Sequence, residues 1–267
     1  LTICRLRDRA LREIGVPDPY LPVKNSENDA ALELLPSVLA ELDAHDASDR
    51  LETIVRGVFA GNVFDLGARS TTKLFEDEGF DFLTTRDGIT PRPWLIDDFD
   101  ALAERWAGEP HRKAIVFVDN AGADVVLGMA PLCREMLKRG TEVVITANTL
   151  PALNDITIDE LPALMRRIAE VDPVTDEAIA SGRLSWVASG NDAPLIDLRE
   201  VSEKLAAACE GTDLVVLEGM GRAVESNLYA ALACDALKLA TIKEGHLAEM
   251  LGGKVYDVVC KFEAGGH

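Results

Sequence analysis

The sequence predicts an α/β fold: a Rossmann-like parallel sheet sandwiched by helices, with a mainly helical N-terminal part. Three observations predict it. After Lys113 the chain carries apolar runs of strand length, Ala114–Val118, Glu142–Ala147, Leu184–Val187, Leu214–Leu217 and Ala236–Ile242. They are continuous rather than alternating, as strands buried on both faces are. Helical patterns separate them, which is the βαβ arrangement of a parallel sheet. Finally, 48% of the 267 residues are hydrophobic, enough for a sizeable core and too many for disorder.

Taken in order, residues 1–110 read as a mainly helical subdomain and residues 111–267 as the α/β core. Leu1–Ile14 is periodic and stops at Gly15, with Pro17 and Pro19 beyond it. It opens inside an amphipathic pattern without an initiator Met, so the reading expects truncation, with a helical segment upstream. Asn25–Asp29 offers caps before a helix over Ala30–Leu42, which Pro36 should break or kink. Ser48–Phe59 is a third helix running into Gly61-Asn62. Pro91–Trp94 reads as a turn or linker, and Asp97–Trp106 as a short helix closed by Gly108 and Pro110. In the core, helices are expected over Asp124–Arg139 (kinked at Pro131, closed by Gly140), Ile158–Ile168 and Val201–Cys209, and again after Arg222.

Charge narrows the function. Lys plus Arg number 27 and Asp plus Glu 46, a formal net charge of −19. That balance argues against nucleic acid or an anionic membrane as partner and favours capture of a cation. No apolar run approaches the roughly 18 residues of a membrane helix, and the charged start, Arg5 to Arg9, is unlike a secretory signal. Five cysteines form no CxxC pair and no zinc spacing with the four histidines. They read as buried or half-buried thiols in a reducing, cytoplasmic compartment, and the histidines as surface residues.

In open parallel sheets, sites form at the carboxyl ends of the strands. Those ends turn abruptly polar here: Asp119-Asn120, Asn148, Ser189-Gly190-Asn191-Asp192, Glu218–Arg222 and Lys243. Such a rim suits a divalent cation and a phosphate. Asp119 and Asn120 offer hard oxygen donors for Mg²⁺, Mn²⁺ or a similar ion, and Ala121-Gly122 would let a phosphate approach the following helix. The alternative is that either residue merely caps that helix. Asn154-Asp155 adds a carboxylate after the next strand, or caps Ile158–Ile168. Asn62 and Asp65 in Gly61-Asn62-Val63-Phe64-Asp65 have a polar role or belong to a helix end. Lys243 emerges at the same rim, or lies on the surface at the start of a helix near His246. Some chemistries fail on the residues. A haloacid dehalogenase needs Asp where Ala121 stands, Gly-Lys-Ser/Thr is absent, and Gly219-x-Gly221 has Val224 at the third glycine position.

Gly61–Asp65, Phe117–Asp124, Leu153–Thr157, Ser189–Asp192 and Glu218-Gly219-Met220-Gly221-Arg222 occur in this order. Together they resemble the metal-dependent damage-control phosphatases, in the subgroup with the Glu-Gly-Met-Gly-Arg motif. That subgroup includes the phosphatase domain of pantothenate kinase 4 proteins and stand-alone relatives. The resemblance implies metal ligands at Asp119, Asn120 and Asp155, and a phosphate-end lysine at Lys243. It implies substrate contacts at Glu218, Gly219, Met220, Gly221, Arg222, Asp65 and Asn62, and a helical extension upstream. The common form of the first motif has Ser where this chain has Ala121. The implied cofactor is Mn²⁺, Co²⁺, Ni²⁺ or Mg²⁺. The implied substrate is 4′-phosphopantetheine or its oxidised or sulfonated forms, a small phosphorylated metabolite, with Asp155 or Asp65 orienting the water. The alternatives are a sugar phosphate as substrate, or a non-hydrolytic Rossmann-like nucleotide- or cofactor-binding protein.

Overall fold

The computed structural model of the chain describes residues 2–63 and 82–266. Among the described residues seven strands build one sheet: β1 (Ile96–Asp97), β2 (Lys113–Phe117), β3 (Glu142–Ala147), β4 (Leu184–Ala188), β5 (Leu214–Glu218), β6 (Asp235–Thr241) and β7 (Val258–Glu263). Their order is β1-β7-β6-β5-β2-β3-β4. Strands β2 to β6 run parallel, with Val116 opposite both Ile145 and Val216. Strand β7 lies antiparallel to β6, and β1 follows β7. The chain winds outward from β2 through β3 to β4, then returns to the other side of β2 as β5. The winding therefore reverses between β2 and β5, and a crevice opens there at the carboxyl ends.

Helices cover both faces. The described ones are α1 (Thr2–Glu13), α2 (Leu21–Ala44), α3 (Ala47–Val63), α4 (Phe82–Gly88), α5 (Phe99–Ala107), α6 (Ala130–Lys138), α7 (Leu161–Ala169), α8 (Pro173–Ala180), α9 (Glu203–Ala208) and α10 (Gly245–Leu251). Two π-helical turns, Asp124–Met129 and Met220–Glu225, follow β2 and β5. One apolar core joins Leu35 of α2 and Phe59 of α3 to Val116, Ile145 and Leu239. A second, on the other face, joins Ile115, Phe117 and Leu217 to Leu205 of α9 and Ala248 of α10.

The structure corrects several expectations. Helix α2 runs unbroken through Asn25–Asp29 and through Pro36. It starts instead at Leu21-Pro22, where proline's missing N–H costs nothing. Of the expected caps, Asn28 is buried against other elements, as is the neighbouring Lys24. Asp97 belongs to β1, and helix α5 begins two residues later. The expected helix over Asp124–Arg139 is a π-turn followed by α6, with Pro131 in the first turn of α6. Strand β7 and helix α8 had no expectation behind them. His111 is buried, its Nε2 2.8 Å from Asp235 Oδ2, rather than on the surface. Cys133 and Cys260 are buried, Cys4 and Cys234 half-buried and Cys209 exposed, all as free thiols. Among the described residues no helix is long and apolar enough to cross a membrane.

Candidate active site

Strands β2 and β5 are neighbours, with Phe117 opposite Leu217, so the residues that follow them meet. The Asp119 backbone N–H donates to Glu218 Oε2 at 2.9 Å. Asp119 Oδ2 accepts from Asn120 Nδ2 at 3.2 Å and Asn62 Nδ2 at 3.4 Å. Gly219 has φ +100°, and a Cβ there would lie 2.3 Å from Asp119 Oδ2. Only glycine lets the chain leave β5 this close to the carboxylate.

Asn62 reaches the site because α3 packs backbone to backbone on the π-turn after β2. A Cβ at Gly61 would sit 2.8 Å from Asp124 Cα, and one at Gly128 3.1 Å from Val58 Cα. The Asn62 amide donates to Glu218 Oε1 at 2.7 Å and to Asp124 Oδ2 at 3.2 Å. Its Oδ1 accepts from the Thr241 N–H at 3.1 Å. Asp124 Oδ2 also accepts from Asn120 N at 3.1 Å and Asn120 Nδ2 at 2.9 Å. Because a carboxylate only accepts, the Asn120 amide nitrogen faces Asp124 and Asp119, leaving its carbonyl oxygen as the donor a cation could use.

Asp119, Asp124 and Glu218 are buried, with one oxygen from each lying within 4.8 Å of the others, and Asp124 Oδ1 has no hydrogen-bond partner among the described residues. Burial, opposed by Lys243, pushes Asp124 above the usual carboxylate range. Burial and then the Asp124 charge push Glu218 well above it. Three crowded acids with an orphaned oxygen fit a divalent cation, so this triad could hold a metal ion. Asp124→Asn should therefore stabilise the metal-free protein. The oxygen keeps its three donors, and the new NH₂ has the neighbouring Glu218 carboxylate as an acceptor, where two acceptors now face each other. Removing a penalty of about 1–3 kcal/mol raises the Tm by about 2–4 °C per kcal/mol in a chain of this size. A lower metal-free Tm in calorimetry would show that the acids are not in conflict.

The loop after β3 closes the other side. The Ala121 N–H donates to Asn154 O and the Ile156 N–H to Asp119 O, both at 3.0 Å, and Asn120 bridges Asp155. Asp155 Oδ2 accepts from Asn148 Nδ2 and Arg222 Nη2, each at 2.8 Å. Arg222 also contacts Asn148 Oδ1 at 3.1 Å and forms an ion pair with Asp119. Its guanidinium thus spans the two acidic side chains, and it is 1% exposed.

Asp119, Asn120, Asp155, Met220, Gly221 and Lys243 all line one cleft of about 250 Å³, with Leu195 and Glu225 at its sides. Asn62, Glu218, Gly219 and Arg222 are not in its lining and stand behind it. Asp65 lies outside the described residues. Lys243 is buried, not on the surface: its Nζ donates to Asn62 O at 2.9 Å and its backbone N–H to Met220 Sδ at 3.2 Å. Ser189–Asp192 does not line the cleft, and Asp192 pairs with Arg5. Sequence reasoning missed the roles of Asp124 and Asn148. Asn148 was visible as a polar residue at a strand end and Asp124 as the start of a helical segment, but nothing local marks them as partners of Asp155 and Asn120.

The sequence model of the damage-control phosphatase ARMT1-like domain matches residues 1–259. A damage-control phosphatase of Arabidopsis thaliana is 44% identical over 98% of this chain and 71% of its own length. Pantothenate kinase 2 of the same plant is 44% identical over 98% of this chain, and the 4′-phosphopantetheine phosphatase of Mus musculus 36% over 96%. This chain spans only 32% and 37% of those two proteins. The crystal structure of a DUF89 family protein from Pyrococcus horikoshii shares the fold, with TM-score 0.68 at 19% identity over 94% of this chain and 77% of that one.

Proposed function

This chain belongs to the damage-control phosphatases with an ARMT1-like domain and is a phosphatase, and we propose that it hydrolyses 4′-phosphopantetheine or a damaged form of it, such as an oxidised or sulfonated derivative. The reading is supported by one observation above the rest. Asp119, Asn120, Asp155 and Lys243 share a single small cleft at the switch point of the sheet. Asp119, Asn120 and Asp155 would hold the divalent ion where substrate enters, with Asp124 and Glu218 behind them fixing Asn120 and the Asp119 backbone. The all-oxygen donor set suits Mg²⁺ or Mn²⁺, with Co²⁺ and Ni²⁺ as the softer options. When bound, the ion supplies Lewis-acid polarisation of the phosphoryl group and of water. Lys243 and the Met220-Gly221 backbone N–H groups offset the phosphate's remaining charge. Arg222, behind the cleft, holds Asp155 and Asp119 in place. In this reading residues 111–267 carry the chemistry and residues 1–110 buttress it. Five free thiols suit a reducing cytoplasmic compartment.

The test is phosphate release from a panel of phosphomonoesters, including 4′-phosphopantetheine, its sulfonate and sugar phosphates, with Mn²⁺, Co²⁺, Ni²⁺ and Mg²⁺ in turn. Metal-dependent turnover that is fastest on the phosphopantetheine group is expected. Preference for sugar phosphates would replace the substrate assignment, and tight binding without hydrolysis would replace the reaction.

Lys243→Ala should weaken inorganic phosphate and substrate about 10-fold or more, the loss of one charge-assisted hydrogen bond. Metal affinity should stay nearly constant. Phosphate inhibition constants and a Mn²⁺ titration on the same variant decide it. Lost metal affinity with normal phosphate binding would give Lys243 a different role.

A further inference from the structure

Helix α2 is seated against the back of the site, and it carries a lysine with no solvent exposure. Lys24 Nζ lies 2.7 Å from Asp18 Oδ2 and 2.8 Å from Glu160 Oε2, and donates to the Asp155 backbone oxygen at 3.4 Å. Glu160 in turn accepts from the Thr157 N–H at 2.9 Å and the Thr157 hydroxyl at 2.6 Å. The loop that presents Asp155 is thus tied, at that residue's own carbonyl and again beyond it at Glu160, to one buried ammonium. One turn along α2, Asn28 Oδ1 accepts from the Gly122 N–H at 2.7 Å, where the backbone has φ +79°. The two loops are themselves joined by the Ala121–Asn154 and Ile156–Asp119 bonds, so α2 grips both halves of the site.

Burying an ammonium is expensive unless every proton finds an acceptor, and an apolar side chain of the same length would fill the same space at no such cost. What an apolar side chain cannot do is hold a carbonyl and a carboxylate together. Asp155's carboxylate is oriented from the front by Asn148 and Arg222; its main chain is held from behind by Lys24. We propose that Lys24 is a positioning residue for Asp155, fixing the loop so that the carboxylate meets the divalent ion in the cleft. The inference rests on the reading of Asp155 as a ligand.

The experiment is a titration with Mn²⁺ alone, followed by electron paramagnetic resonance, together with the visible spectrum of the Co²⁺-loaded protein. It compares wild type, Lys24→Met, the charge-balanced triple variant Lys24→Met/Asp18→Asn/Glu160→Gln, and Asp155→Asn. The triple variant removes the unpaired acids that Lys24→Met leaves, and it carries the test if the single variant does not fold. Both Lys24 variants should bind Mn²⁺ about 10- to 100-fold more weakly, the range for groups that orient metal ligands, with an altered Co²⁺ spectrum. Wild-type Mn²⁺ affinity and spectrum in the triple variant, with weakened binding in Asp155→Asn, would overturn the positioning role alone. Unchanged affinity in Asp155→Asn would overturn the ligand assignment beneath it.

Discussion

Replacing Asp119 by alanine is expected to lower metal-dependent phosphate release by about three orders of magnitude, the upper end for loss of one preorganised electrostatic group. Asp119 belongs both to the set that lines the cleft and to the buried triad behind it, so no neighbour can substitute. The fold should survive. The amides of Asn62 and Asn120 keep Asp124 as acceptor, Arg222 keeps Asp155 and Asn148, and β2 ends two residues earlier. The checks are kcat from phosphate release, a Mn²⁺ titration and the metal-free Tm. Full activity with an unchanged titration would remove Asp119 from the site.

The second large effect is on stability. Arg222→Met should destabilise the metal-free protein by about 3–5 kcal/mol, because it leaves Asp119 and Asp155 buried without their shared counter-charge. At about 2–4 °C per kcal/mol, the fall in Tm is large enough to read by calorimetry. Added Mn²⁺ should recover more stability in the variant than in wild type, because the ion then becomes the main neutraliser of the same two acids. A metal-free Tm equal to wild type would mean that the Arg222 pairs contribute nothing net, and an unaltered metal effect would separate Arg222 from the ion's position.

Much of this arrangement is legible in the sequence because its physics is local. Strands β2, β3, β5 and β6 are buried on both faces, so they appear as largely apolar runs, and the change to Asp119-Asn120 or Glu218-Gly219 marks where a run leaves the core. The pairing of Asn120 with Asp155 follows from one βαβ step, since consecutive parallel strands are commonly neighbours. What could not be read is what distant packing decides. That β5 returns beside β2, bringing Glu218 onto the Asp119 backbone, is a property of strand order and not of either segment. Asn62 enters from α3 only because Gly61 and Gly128 allow backbone contact with the π-turn. Lys24 sits next to residues that read as a helix cap, and its burial depends on Glu160, far along the chain. Strand β7 escaped because Val258–Glu263 mixes charge into a short run, as an edge-side strand antiparallel to its neighbour can.

The central claim is that the ion supporting turnover sits at Asp119, on the cleft side of the β2–β5 crevice. Anomalous diffraction at the manganese edge, on crystals grown at a Mn²⁺ concentration that supports phosphate release, tests it most directly. A strong peak is expected, bonded to Asp119 and shared with Asn120 and Asp155. A peak held by Asp124 and Glu218 alone, or none beside Asp119, would contradict it.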